Sequence, residues 1–225
     1  MGRLIYTLNV SLDGFIETPD HSLGWTVVDD ELLTWFNDRA RGLAASLYGR
    51  RLYELMSAYW PTAEADPAAT EPMREFGRLW LGIPKIVFSS TLTSVDWNSR
   101  LVHGDVGEQL ARLRSEFDGD FEVGGPTLAA AFIRRGLVDQ YQLVVHPVIL
   151  GSGTRFFPPL EAPLRLRLTG IQTRQSQQAF DDLGQTIDFF QCAPQGLTRV
   201  GLQLGILRQV LQLTPQDRKR RAQLM

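Results

Sequence analysis

Cysteine and long apolar runs are scarce in this sequence of 225 residues. Cys192 is the single cysteine, so the chain cannot form an internal disulfide or a cysteine-rich zinc site. No apolar run approaches the roughly 20 residues that a membrane-spanning helix needs. The first residues also lack the apolar core and cleavage site of a signal peptide. We therefore predict a protein of the reducing cytoplasm that has no membrane partner.

Several common catalytic motifs are also missing. One cysteine cannot supply the His/Cys/Cys ligand set of a zinc nucleobase deaminase. There is no G-x-S-x-G elbow, no Walker A sequence and no G-x-G-x-x-G after the first predicted strand. His21, His103 and His146 lie far apart in the sequence, and each is interpreted as a loop or strand residue. We expect no metal site.

The composition is that of a globular protein, with 44% apolar and 21% charged residues. Charges nearly balance at a net −2, which disfavours a nucleic-acid partner. Residues 192–225 carry six basic residues and one acid, a net +5, which leaves −7 on residues 1–191. We therefore predict a body of residues 1–191 and a separate amphipathic and basic extension of residues 192–225.

Strand and helix patterns alternate along the body. We predict strands near residues 3–10, 44–48, 83–89, 121–123 and 141–150, and helices near residues 30–41, 50–58, 106–117 and 126–135. Residues 61–72 are interpreted as a loop rich in proline and alanine. Two last strands near residues 164–170 and 185–190 follow each other without a helix and should be antiparallel. This order predicts an α/β fold with a mostly parallel central sheet.

Polar turns follow two of the predicted strands, at positions where ligands of open α/β sheets collect. At the first turn, a helix leaves Gly49 with Arg50 and Arg51, which suits a phosphate at the helix N-terminus. A plain turn with two solvated arginines would have the same sequence. At the second turn, the hydroxyls of Ser89, Ser90 and Thr91 suit a phosphate or ribose, although such residues are also common caps.

A third turn contains Gly124, Gly125, Pro126 and Thr127 between a strand and a helix. Two consecutive glycines allow a ligand to approach the backbone closely, and proline suits the first position of a helix. This pattern favours a phosphate or pyrophosphate contact at the helix N-terminus. Together, the three turns indicate one elongated ligand that carries phosphates.

The ordered set of motifs resembles that of the dihydrofolate-reductase-like superfamily. The segments concerned are Ser11-Leu-Asp-Gly-Phe-Ile16, Gly49-Arg-Arg-Leu-Tyr-Glu54, Val87-Phe-Ser-Ser-Thr-Leu92 and Val123-Gly-Gly-Pro-Thr127. Residues 136–157 are similar to the branch typified by the C-terminal reductase domain of the bifunctional riboflavin-biosynthesis deaminase–reductase. The resemblance runs from about residue 2 to 190, and it implies a three-layer fold with antiparallel C-terminal strands.

The resemblance implies an NADPH site and a small-molecule substrate. The residues it implicates in cofactor binding are Gly14, Gly49, Arg50, Arg51, Ser89, Ser90, Thr91, Gly124, Gly125, Pro126 and Thr127. Asp13 and Gly14 would lie in the loop that closes over the nicotinamide, and Asp13 is the best candidate for a catalytic acid. A water molecule could serve instead.

The expected activity is hydride transfer to a small heterocyclic substrate. The riboflavin branch would use a ribosylamino-pyrimidine phosphate, as 5-amino-6-(5-phosphoribosylamino)uracil reductases do. A non-catalytic NADP(H)-binding regulatory protein and an enzyme of the dihydrofolate reductase type are the alternatives. Folate reduction is disfavoured because Leu32 occupies the position of the acidic residue that holds the pterin, although Asp30 and Glu31 lie close by.

Residues 192–225 contain a pattern of apolar residues typical of a helix. Val200, Leu204, Leu207 and Leu211 follow a helical spacing and predict an amphipathic helix that packs on the body or on a second subunit. The basic residues 218–221 are expected to be solvated. The apolar stripe of this helix and the apolar strand 141–150 predict a homodimer, as the resemblance also implies.

Overall fold

The computed structural model describes residues 2–174 and 206–213, which contain ten β-strands and five α-helices. The strands are β1 (Leu4–Ser11), β2 (Phe15–Glu17), β3 (Leu43–Gly49), β4 (Lys85–Phe88), β5 (Ser99–Val102), β6 (Asp120–Gly124), β7 (Gln140–His146), β8 (Thr154–Arg155), β9 (Leu166–Arg174) and β10 (Ile206–Leu213). The helices are α1 (Asp30–Ala40), α2 (Arg50–Tyr59), α3 (Glu71–Gly82), α4 (Val106–Glu116) and α5 (Pro126–Arg134), and a 3₁₀ helix spans Trp60–Ala65.

Eight of these strands form the central sheet, in the order β5-β4-β3-β6-β1-β7-β10-β9. The six strands from β5 to β7 are parallel, and β10 is antiparallel to both of its neighbours. Strands β2 and β8 form a separate antiparallel pair. The prediction of an α/β fold with a mostly parallel sheet and antiparallel C-terminal strands is confirmed.

Helices cover the sheet on both faces and make the fold three-layered. Leu110 and Leu113 of α4 and Phe132 and Ile133 of α5 are buried in one large core, together with alternate side chains of the strands, such as Tyr6. Since successive strand residues point to opposite faces, the intervening residues meet α1, α2 and α3 on the other side. The sheet is thereby shielded from water, as parallel sheets require.

Side-chain caps start two of the helices where the sequence predicts them. Asp29 accepts a hydrogen bond from the backbone N–H of Leu32, at 2.8 Å, and begins α1. Asp105 accepts from Gly107 and Glu108 and begins α4. An aspartate at this position satisfies N–H groups that have no partner within the helix. Polar spacing in the sequence therefore fixes these two helix starts.

The structure corrects the prediction of a loop over residues 61–72. The 3₁₀ helix takes up its first part, and α3 begins at Glu71 with Pro72 in its first turn. A proline lacks an N–H, and no intrahelical bond is lost when it stands at this point of a helix. The prolines that suggested a loop are therefore compatible with helix starts.

The structure also corrects the predicted C-terminal helix. Residues 206–213, which include Leu207 and Leu211, form β10 between β7 and β9, so the helical prediction is wrong for this segment. Hydrogen bonding to two strands overrides the helical spacing of the leucines. The other residues of the predicted helix, the strand predicted near 185–190 and the basic residues 218–221 lie outside the described residues. The division at residue 192 remains a prediction.

A buried histidine marks the end of β7 beneath α1. His146 is 2% exposed, and its Nε2 lies 2.9 Å from Oδ1 of Asn9 on the neighbouring strand. The ring of Trp25 stands edge-on to the imidazole with 5.5 Å between ring centroids. Burial lowers the pKa of His146 to about 4, although Asp29 acts in the opposite direction. The side chain is therefore neutral at physiological pH.

This neutral histidine should make the fold sensitive to mild acid. The unfolded chain protonates His146 near its ordinary pKa of about 6.5, whereas the folded chain resists protonation until about pH 4. Stability should therefore fall as the pH drops from 6.5 to 4, with a loss of about 2 kcal/mol by pH 5. Urea unfolding of the wild type and His146→Gln at pH 7 and pH 5 measures this.

His146→Gln should not show the part of the loss of stability that comes from protonation of His146. His103→Gln is the matched control, because His103 is exposed and should keep the wild-type pH dependence. An equal loss of stability in all three proteins would show that other groups, and not His146, cause the acid sensitivity.

Candidate functional site

Four turns lie together at one edge of the central sheet. They follow β4, β3, β6 and β1, which are neighbours in that order. The register aligns three of them, because Gly49 pairs with Phe88 and Tyr48 pairs with Gly124. Strand β1 continues to Ser11, well beyond its pairing of Tyr6 with Val123. The structure therefore brings all predicted site residues to the carboxyl edge of the sheet.

The N-terminus of α2 begins directly at the end of β3. Gly49 is its N-cap residue and has no side chain to accept the first N–H groups. Arg50 donates from Nε to Glu54 at 2.8 Å and from Nη1 to the hydroxyl of Thr91 at 3.2 Å. This arginine is half exposed and connects α2 to the turn after β4. It therefore faces the same side as the Ser89–Thr91 hydroxyls.

The neighbouring arginine has a different partner. Arg51 donates from Nη2 to Glu17 at 2.9 Å and from Nη1 to the same carboxylate at 3.3 Å. Adjacent helical residues diverge by about 100°, so the two guanidinium groups leave the helix in different directions. The structure thus does not bring Arg50 and Arg51 to one point.

The turn after β4 opens into a shallow cleft. Ser89 Oγ accepts hydrogen bonds from the backbone N–H groups of Thr91, at 3.1 Å, and Leu92, at 3.0 Å. Ser90 and Thr91 remain exposed. Polar and apolar residues line a cavity of about 220 Å³, namely Phe88, Ser89, Ser90, Val102, His103, Gly104 and Val106. One of the predicted hydroxyls therefore caps its own turn, and the other two are accessible.

His103 belongs to this cleft although its sequence position gave no sign of it. Its Nδ1 contacts the backbone carbonyl oxygen of Ser89. Strand β5, which precedes His103, pairs with β4 and so places the histidine beside the hydroxyl turn. The predicted elements do not include β5, so no sequence pattern indicates that His103 lies beside this turn.

Different structural constraints favour glycine at the two positions between β6 and α5. A Cβ on Gly124 would lie 2.4 Å from Cδ2 of Leu52 on α2, so the helix packs where a side chain would stand. Gly125 has a φ of +84°, a conformation that favours glycine, and it precedes Pro126 at the start of α5. No side chain caps this helix, and Thr127 is exposed. The first N–H groups of α5 are thus open to an anion.

Asp13 connects the loop after β1 to the loop after β7. Its carboxylate accepts hydrogen bonds from Ser11 Oγ at 2.7 Å, Gly151 N at 2.7 Å and Leu150 N at 3.1 Å. Partial burial raises the pKa of Asp13, but these hydrogen bonds outweigh it and hold the pKa below its usual value. Gly14 follows with a φ of +89°. The geometry makes Asp13 an ionised acceptor that fastens two loops.

Trp25 is a candidate site residue that no sequence motif indicates. Its Nε1 is buried and has no hydrogen-bond partner within the described part of the chain. The ring meets His146, at the end of β7. Leu32 is fully buried and packs against Val144, two residues before His146. A buried donor without a partner in these residues can bind an acceptor atom of a ligand.

The described residues contain neither a metal-binding group of side chains nor a membrane-spanning helix. Within them, no three or more His, Cys, Asp or Glu side chains are grouped so that they could hold a metal ion. None of the helices in the same residues is both long enough and apolar enough to cross a membrane.

Two proteins of Bacillus subtilis (strain 168) are similar to this chain in sequence. The protein YyaP is 31% identical over 77% of this chain and 90% of its own length. YwjB of the same organism is 26% identical over 79% of the chain and 94% of its own length.

Two solved structures share the fold at low identity. A riboflavin biosynthesis protein from Shewanella sp. PV-4 matches with a TM-score of 0.63 and 17% identity, over 94% of this chain and 99% of that one. Dihydrofolate reductase from Enterococcus faecalis, complexed with NADP(H) and RAB-propyl, matches with a TM-score of 0.56 and 14% identity, over 95% and 97%. The family model of the RibD C-terminal domain matches residues 3–180. The chain therefore belongs to the RibD C-terminal domain family.

Proposed function

We propose that this protein is an NADPH-dependent reductase of a small heterocyclic substrate. The order of the four turns along the sheet edge carries the proposal. Neighbouring strands are about 4.8 Å apart, so four adjacent strand ends extend over about 14 Å. This length suits a dinucleotide that lies across the strands. Membership in the RibD C-terminal domain family and the fold shared with an NADP(H)-complexed reductase support it.

The phosphate groups of NADPH would lie at the N-termini of α2 and α5. Both helices start without a side-chain cap, so their N–H groups can donate hydrogen bonds to an anion. Gly124, Gly125, Pro126 and Thr127 would hold the pyrophosphate. Gly49 lets α2 start at the end of β3, and Arg50 would bind the ribose 2′-phosphate. Ser89, Ser90 and Thr91 would contact the adenosine half.

The nicotinamide end would lie beside β1 and β7, near Gly14. Bound NADPH supplies the hydride, while the chain orients it and shields it from bulk solvent. Asp13 is placed to hold the loop over this end. We assign it a positioning role, because a carboxylate whose pKa is lowered is a poor proton donor near neutral pH. A water molecule would then supply the proton that the reduced product needs.

The substrate end combines uncharged groups with one carboxylate that is bound at a helix start. His146 is neutral, Leu32 is apolar, and Asp29 caps α1 through the N–H of Leu32. Trp25 offers an N–H to an acceptor atom. These groups suit a neutral ring that bears carbonyl groups, such as the pyrimidine of a ribosylamino-pyrimidine phosphate. Purified protein tests this: NADPH oxidation that depends on such a substrate supports an enzyme, whereas binding without turnover favours a regulatory NADP(H)-binding protein.

A homodimer in the cytoplasm also remains a proposal. The apolar residues 141–150 do not supply a free surface, because β7 covers most of them, lies between β1 and β10 and is mostly buried. Other large apolar side chains are exposed on the described residues, among them Leu12, Ile149 and, on the outer strand β9, Ile171. Such side chains at a surface favour association. Light scattering should show a dimer at micromolar concentration, and a monomer there would contradict the proposal.

Replacing Arg50 should remove the preference for NADPH over NADH. The 2′-phosphate distinguishes the two cofactors, and a charged hydrogen bond to it contributes about 1.5–3 kcal/mol. Arg50→Ala should therefore weaken NADPH binding about tenfold to 150-fold and leave NADH nearly unchanged. Calorimetric titration of both cofactors measures the effect, and raised salt should reproduce part of it.

Arg51→Ala is the matched control for this substitution. Arg51 is the adjacent arginine, but its guanidinium pairs with Glu17 and not with the cofactor turn. We expect it to leave the ratio of NADPH to NADH affinities unchanged. Equal losses of both cofactors in Arg50→Ala would show that this residue supports the turn and does not bind the phosphate.

Dihydrofolate should be a very poor substrate. Leu32, at the position of the pterin-binding acid, is fully buried against Val144 and offers a protonated pterin no carboxylate. The missing charged hydrogen bond corresponds to a loss of about 1.5–3 kcal/mol, or roughly tenfold to 150-fold in binding. Steady-state oxidation of NADPH with dihydrofolate measures this. Brisk turnover would mean that another acid, such as Asp30, binds the pterin.

A further inference from the structure

Glu17 is a buried carboxylate at which several chain segments meet. Its side chain is only 8% exposed. It accepts hydrogen bonds from Thr154 Oγ1 at 2.6 Å and from Arg51 Nη2 at 2.9 Å, and His21 Nδ1 lies 2.8 Å away. A buried charge is costly unless it is paired and hydrogen-bonded. Here the partners satisfy both carboxylate oxygens, so the cluster is a defined feature and not a solvated surface pair.

Burial raises the pKa of Glu17, and the bonds from Thr154, His21 and Arg51 outweigh burial and keep the pKa below its usual value. The group is therefore ionised at neutral pH. Glu17, Arg51, Thr154 and His21 are called the Glu17 cluster below.

The members of the Glu17 cluster come from separate parts of the fold. Glu17 ends β2, His21 lies in the loop that follows, Arg51 is in the first turn of α2, and Thr154 is in β8. The backbones are close here too, since a Cβ on Gly153 would lie 1.9 Å from the carbonyl oxygen of Glu17. The cluster thus joins the loop of residues 18–28 to the helix assigned to the cofactor phosphates.

This loop leads to the other end of the candidate site. It contains Trp25, which meets His146 at the end of β7. His21 within it has a φ of 65°, a conformation that a non-glycine residue rarely adopts without other contacts to hold it. Its contacts with Glu17 and Arg51 are such contacts.

We propose that Glu17 is a positioning residue that fixes the loop of residues 18–28, and with it Trp25, to the cofactor-binding helix α2. The inference rests on the proposed NADPH site and deepens it. Arg51 serves the loop rather than the 2′-phosphate. The loop borders the nicotinamide half, which NADPH and NADH share. Loss of the Glu17 cluster should therefore weaken both cofactors equally, in contrast to loss of Arg50.

The test combines cofactor titration with amide hydrogen exchange on the full chain. Glu17→Gln keeps the shape of the side chain and removes its charge. We expect it to weaken NADPH and NADH by the same factor, about tenfold, and to speed exchange in residues 18–28. Glu116→Gln is the matched control. Glu116 lies on α4, away from the loop, and forms an exposed ion pair with Arg100 of β5. It should change neither measurement.

A milder variant covers the case in which Glu17→Gln fails to fold. Thr154→Val removes one hydrogen bond to Glu17 and should produce the same two changes at smaller size. The double variant Glu17→Gln/Arg51→Ala should lose no more affinity than the weaker-binding single variant. Both substitutions break the same contact, the one between Glu17 and Arg51, so their effects should not add.

The outcomes separate this inference from the proposed function. Unchanged exchange in residues 18–28 of both Glu17→Gln and Thr154→Val would overturn it. So would a loss confined to NADPH, which would make the Glu17 cluster part of the phosphate site. If the wild type binds neither cofactor, the proposed function fails, whereas the exchange comparison still decides whether Glu17 holds the loop.

Discussion

Backbone hydrogen bonds among β4, β3, β6 and β1 fix the relative positions of four turns that are far apart in the sequence. Because the strands are parallel, every turn that leaves a carboxyl end emerges at the same edge. The register sets their heights, since Gly49 pairs with Phe88 and Tyr48 with Gly124. A slip of one residue would turn each strand over, exchanging the side chains that face α4 and α5 with those that face α1, α2 and α3. The candidate site therefore depends first on correct pairing of the strands, and only then on the identity of its side chains.

The two adjacent arginines have different roles, because the fold places a different partner beside each of them. Arg50 contacts the hydroxyl turn after β4, while Arg51 pairs with a carboxylate that β2 places on the other side of the helix. The sequence presents them as one basic pair. Only the position of Glu17, 34 residues earlier in the chain, distinguishes them. A double replacement would therefore mix an effect on the phosphate with an effect on the loop.

The sequence predicted the features that depend on local chemistry. Helices α4 and α5 begin at Val106 and Pro126, as the local sequence predicts. It failed where distant pairing decides the outcome. Leu207 and Leu211 have helical spacing, but hydrogen bonds to β7 and β9 make their segment a strand. Glu17 and His146 gave no local signal, because Arg51, which pairs with Glu17, and Asn9, which pairs with His146, are both more than 30 residues away. Asp13 was recognised by position, and only its three donors show that it is held as an acceptor.

Charge changes along the edge in the direction that a dinucleotide would require. At one end, the uncapped N-termini of α2 and α5 and the side chain of Arg50 favour phosphates. At the other, Asp13 and Glu17 are ionised carboxylates whose oxygens accept several hydrogen bonds, and His146 is buried without a charge. Neither carboxylate is a good proton donor in this state, so the proton of a reduction would have to come from elsewhere. The same buried groups that stabilise the loops therefore also define the polarity of the site.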